Sequence, residues 1–103
     1  GNHNVLMCER GIRSFDTSTR NVLDLSCVAL VKQNLNYPVV ADISHSLGRK
    51  DIIYPMVKAA FAAGADAIMI EVHNKPEMAR SDAKQQLNFA EFDELYEQLF
   101  HDY

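Results

Sequence analysis

Three short apolar runs alternate along the chain with three longer stretches in which apolar residues recur every three or four positions. The runs NVLMCE (4–9), YPVVADIS (37–44) and DAIMIEV (66–72) lack a helical period, which predicts buried strands. Pro38 opens the second run, where a strand tolerates a residue without an N–H. In VLDLSCVALVKQN (22–34), Leu23, Cys27, Leu30 and Val31 fall at helical spacing. DIIYPMVKAAFAAG (51–64) predicts a second helix, with Asp51 as N-cap and an apolar stripe of Ile53, Met56, Val57, Ala60 and Phe61. Pro55 sits in its first turn, where a missing N–H costs little, and Gly64 is a C-terminal stop. FAEFDELYEQLF (89–100) is an amphipathic helix whose Phe89, Phe92, Leu95, Tyr96, Leu99 and Phe100 share one side and read as core. The polar segments 11–21, 45–50 and 73–88 read as loops, the last with room for one helical turn at 76–80.

The order is βα-βα-βα, the pattern of an α/β fold with parallel strands covered by helices. A closed (β/α)8 barrel needs eight strands and about 250 residues, so 103 residues as one partial domain supply three-eighths of one. Three units leave two sheet edges and the inward strand faces without partners, which predicts self-association into a homo-oligomer. The chain begins Gly-Asn and reaches a strand-like run by Val5, as an internal segment of a longer polypeptide would.

Composition narrows the function classes. The chain is 48% hydrophobic and 23% charged, the balance of a soluble globular protein. A formal charge of −4 and the absence of a basic cluster argue against nucleic acid as a partner. Cys8 and Cys27 form no CxxC and suit a reduced compartment. The apolar runs are too short to span a bilayer and no signal-peptide pattern appears, so the expected location is the cytoplasm.

Ligands of parallel α/β folds gather at the C-terminal ends of the strands. All three predicted strands finish there in ionisable groups: Glu9-Arg10, Ser44-His45 and Glu71-Val72-His73. Alternation along a strand puts Arg10 on the face of Leu6 and Cys8, His45 on that of Val39, Ala41 and Ile43, and Glu71 and His73 on that of Ala67 and Met69. Arg10, His45 and Glu71 are then expected to converge on one interior mouth. His, Glu and Asp are suitable ligands for a divalent transition metal, and an arginine is a bidentate clamp for phosphate or carboxylate. Plainer roles fit the same residues. A histidine at a strand end is commonly a hydrogen-bonded structural residue, Glu71 can pair with a Lys or Arg at the rim, and Asp82 after Ser81 suits a turn or cap. Cys8 reads as core packing.

The motifs CERGIRSF, TRNVLDLS, DISHSLGRKD, GADAIMIEVH and SDAKQQL, in this order over essentially all of the chain, resemble the C-terminal part of type I 3-deoxy-D-arabino-heptulosonate 7-phosphate (DAHP) synthases of the β subtype. The resemblance implies a (β/α)8 barrel enzyme that condenses phosphoenolpyruvate with erythrose 4-phosphate at the entry to the shikimate pathway. It implies a divalent metal of the Mn, Fe, Zn or Co class, with His45, Glu71 and Asp82 as three ligands and Arg10 holding phosphoenolpyruvate through its phosphate. His45 and Glu71 would be the catalytic pair, and His73 would help to orient Glu71. The family's fourth ligand is a cysteine of an early strand, which Cys8 does not match. Two positions depart from the family pattern: Ile43 stands where Pro is common, and Ala83 where Gly is common. The alternatives are the related 3-deoxy-8-phosphooctulonate synthase and a non-catalytic α/β oligomerising module. The missing parts predict that the 103-residue chain alone is inactive.

Overall fold

In the computed structural model, which describes residues 4–15, 18–76 and 85–100, three parallel strands form one sheet. They are β1 (Met7–Glu9), β2 (Val39–Asp42) and β3 (Ala67–Met69), and β2 is central. The helices are α1 (Leu25–Asn34), α2 (Ile43–Leu47), α3 (Ile53–Ala63) and α4 (Phe89–Phe100). The predicted alternation of parallel strands and helices is observed, with one short helix added.

Register decides which side chains share a face. Cys8 pairs with Val40 and Val40 with Ala67, while Asp42 pairs with Met69. Glu9, Ala41 and Ile68 form the corresponding row on the other side. That second side carries the core: Val39, Ala41 and Ile43 are buried with Val28 of α1, Val57 and Ala60 of α3, and Leu95 of α4, and Ile68 and Ile70 pack against them. On the first side Cys8 and Ala67 are exposed and Met69 is 46% exposed. Cys8 is therefore not the core residue its position suggested, because its side of the sheet carries no helix among the described residues.

Several boundaries move for identifiable reasons. The second strand run ends at Asp42 rather than Ser44, because the Asp42 carboxylate caps a new helix by accepting the His45 N–H at 3.1 Å. Ile43 and Ser44, expected in the strand, thus join His45–Leu47, expected in a loop, to form α2, closed by Gly48. Ile43 is the first residue of α2, a position where proline is favoured, so either residue fits the local backbone. The first helix starts at Leu25 because Asp24 accepts the Cys27 N–H and Val22 is engaged in an antiparallel bridge with Ile12. It buries Val28, whereas Leu30 is 57% exposed. Asp51 does not cap α3. The N-cap is Ile52 without a side-chain bond, and Asp51 is held by the Arg49 guanidinium. Gly64 does end α3, at φ +113°, a conformation that side chains resist. Helix α4 has the predicted bounds, with Asn88 and Glu91 exchanging backbone bonds as a capping box. Its apolar side is only partly covered: Leu95 is buried, but Phe89 and Tyr96 are 60% and 54% exposed.

The loop after β1 is pulled against α2. Arg20 and Asn21 donate their backbone N–H groups to Leu47 and Ser46 carbonyls at 2.9 and 2.8 Å. Gly11, at φ +96°, lies so close that a Cβ there would stand 2.8 Å from Asn21 Cβ and 2.9 Å from Ser46 Oγ.

Candidate active site

The C-terminal ends of the three strands meet around one buried carboxylate. Asp42 is fully buried, and it is the only buried charged residue among those described. A buried charge requires partners, and Asp42 has them on both oxygens. Its Oδ1 accepts the His45 N–H, and its Oδ2 lies 2.5 Å from His45 Nδ1 and 3.4 Å from Arg10 Nε. The first turn of α2 carries the imidazole across to β3, where Nε2 stands 2.6 Å from Glu71 Oε1. Glu71 is fixed in turn: its N–H donates to Ser44 Oγ at 2.9 Å, and its Oε2 accepts from Gln86 Nε2 at 3.1 Å. Exposure falls from 62% for the Arg10 side chain to 1% for Asp42 and returns to 25% for His45 and 21% for Glu71. The site is thus anchored from beneath and open at the rim.

Arg10, His45 and Glu71 are brought together as expected, but the alternation argument was in the wrong phase for β2. Val40 and Asp42, not Val39 and Ala41, share the face of Cys8, Ala67 and Met69. His45 reaches the site through a helical turn rather than as a strand residue. The His73 Nδ1 accepts the Lys75 N–H at 2.9 Å, within its own turn. Asp82 lies outside the described residues. Asp42, Ser44 and Gln86 were missed. The signal for Asp42 was present in DISH, an aspartate three residues before the N–H that it caps.

No three His, Cys, Asp or Glu side chains among the described residues are arranged to hold a metal ion. The imidazole separates the two carboxylates: Asp42 faces Nδ1 and Glu71 faces Nε2. His45 and Glu71 are therefore a pair of donors, with Asp42 behind the histidine. Although Cys8 is exposed, desolvation by the protein atoms around its thiol, and secondarily the charge of Asp42, push that thiol up, which favours the neutral thiol over the metal-binding thiolate.

Residues 1–102 match the profile described as DAHP synthetase I family. This chain belongs to that family. It is 46% identical over 99 residues to a phospho-2-dehydro-3-deoxyheptonate aldolase of Thermotoga maritima, covering 96% of this chain and 29% of that protein. A 2-dehydro-3-deoxyphosphooctonate aldolase of Fusobacterium nucleatum is 33% identical, over 91% of this chain and 37% of its own length. The fold superposes on a truncated form of 3-deoxy-D-arabino-heptulosonate 7-phosphate synthase from Thermotoga maritima with a TM-score of 0.89 at 46% identity, covering 96% of this chain and 38% of that one. A second Thermotoga maritima DAHP synthase structure gives a TM-score of 0.86 at 47% identity, over 91% and 28%. The chain thus spans about a third of the length of the family members it matches. No helix among its described residues is long and apolar enough to cross a membrane.

Proposed function

We propose that this chain forms the C-terminal three βα units of a (β/α)8 barrel with 3-deoxy-7-phosphoheptulonate synthase activity, in the cytoplasm, at the first step of the shikimate pathway. One observation carries the reading: Arg10, His45 and Glu71 come from three strand ends and meet in one line of contacts through Asp42. The higher identity to the Thermotoga heptonate enzyme, 46% against 33%, favours it over the octonate enzymes.

In this reading Arg10 binds the phosphate of phosphoenolpyruvate. Its ion pair with Asp42 is made through Nε, which leaves the Nη edge for two phosphate oxygens. The enol carbon attacks the aldehyde of erythrose 4-phosphate, and the aldehyde oxygen takes up the electron pair. Water then adds to the carbon bearing the phosphate, and C–O cleavage releases inorganic phosphate. Arg10 orients the phosphoryl group and offsets its charge throughout.

The described residues supply two donors of a kind that suits a divalent transition metal. His45 Nε2 and Glu71 Oε1 face one another, and a carboxylate behind Nδ1 is the usual support of a metal-bound histidine. His45 and Glu71, joined by Asp82, would hold the ion. When bound it supplies positive charge for the aldehyde oxygen as that oxygen becomes negative. The isolated chain, with a cysteine ligand and further substrate groups expected elsewhere in the barrel, makes no DAHP and self-associates through its bare sheet face.

The test is a chimera in which this chain replaces the matching segment of the Thermotoga maritima enzyme. The expected result is metal-dependent DAHP formation that His45→Ala abolishes. A folded chimera that binds both substrates and forms no DAHP would overturn the assignment.

A further inference from the structure

We propose that Asp42 is a positioning residue: its carboxylate holds the His45 imidazole at Nδ1 and so presents Nε2 toward Glu71, for the metal-binding role proposed above. The purpose assigned to this positioning rests on the metal reading above, but the positioning itself does not.

The geometry distinguishes this role from ordinary capping. A cap needs one oxygen, and Oδ1 performs that function on the His45 N–H at 3.1 Å. The second oxygen is directed at the side chain of the same residue, 2.5 Å from Nδ1. Backbone and imidazole of His45 are therefore held by one carboxylate, which restricts both the start of α2 and the ring's rotation. Asp42 is itself immobilised by complete burial, and its backbone carbonyl accepts the Ser46 hydroxyl at 2.8 Å. Asp42 Oδ2 can only accept, so the contact at Nδ1 is a ring N–H donated to it, while the other ring nitrogen makes its own contact with Glu71 Oε1 at 2.6 Å. Asp42 also carries the contact to Arg10, so the groups assigned to phosphate and to metal share one buried anion.

The variants Asp42→Ser and Asp42→Asn separate the functions. Serine retains an N-cap oxygen but is too short to reach Nδ1. Asparagine retains shape and cap but can turn its NH2 toward the ring. The decisive readout is the imidazole proton spectrum of the ¹⁵N-labelled chain. The wild type is expected to show a His45 Nδ1–H signal protected from solvent exchange, and Asp42→Ser to lose it while keeping the α2 amide signals. Absence of that proton in the wild type would overturn the proposal, even if the variant failed to fold. Its persistence in Asp42→Ser would do the same. A zinc titration followed at His45 Nε2 then tests what the positioning serves, with affinity expected to fall about 10–100-fold in Asp42→Asn. Equal zinc affinity in wild type and His45→Ala would count against the metal reading alone, leaving the proton spectrum to judge Asp42.

Discussion

The two faces of the three-stranded sheet differ more than their sequences suggest. One face, with Val39, Ala41 and Ile68, is closed by helices and holds the described core. The other is exposed at Cys8, Ala67 and Met69 around a buried Val40, and ends in Asp42, the one buried charge among the described residues. Both are apolar along the strands, so composition does not separate them. The difference is in what covers them, and it divides labour: the covered face supplies stability, and the more open face leads to the proposed site at the strand ends.

If that division is right, truncations on the two faces have unequal costs. Ile43, with no exposed surface, packs in the helix-side core. Ile43→Ala is expected to cost about 2–5 kcal/mol in urea unfolding, a large fraction of the stability of a small domain. A cost below about 1 kcal/mol would show that this face is not the main core. Next is Gly64, where φ is +113° and an added Cβ would stand 3.1 Å from Lys32 Cγ. Gly64→Ala should lower stability by about 1–2 kcal/mol by the same assay, mainly from the left-handed backbone.

A smaller effect is expected at Asp66, which ties the start of β3 to the start of β2. It accepts the Val39 N–H at 2.8 Å and pairs with Lys32 at 3.0 Å, and these bonds, the first above all, hold its carboxyl below the usual range. Because the folded value is depressed, the stabilisation is fully present above the unfolded value of about 3.9 and is lost as pH falls through the folded value. Asp66→Asn should therefore lower the melting temperature at pH 7 and flatten its decline below about pH 4. An unchanged acid profile would remove the tie from the account. The smallest effect belongs to the open face: at concentrations low enough to keep the chain monomeric, Met69→Ala should alter stability by no more than about 0.5 kcal/mol. A cost like that of Ile43→Ala in the monomer would mean that this face is part of the core, whereas a cost that rises only with concentration is what self-association through the face predicts.

The faces also show what could be read from the sequence. Helix α4 was legible to the residue, since its six apolar positions keep helical spacing over three turns. The stop at Gly64 was equally plain. The end of β2 was not, because VVADIS continues the β-branched run while Asp42 turns the backbone into a helix. Alternation correctly sorts side chains within a strand, but the phase between strands is set by pairing register, which hydrophobicity does not encode when both faces are apolar. The convergence of Arg10, His45 and Glu71 was foreseen from the shared strand ends, whereas the residue that joins them was hidden. An aspartate inside an apolar run reads as an exception until its capping partner is seen three residues later.

The most direct measurement of the central claim is DAHP formation by the chimera carrying this chain in the Thermotoga maritima enzyme, compared with its His45→Ala variant in the presence of manganese. The account predicts turnover in the first and none above background in the second, with both proteins folded. Equal turnover in the two would contradict the assignment of His45, and with it the site built around Asp42.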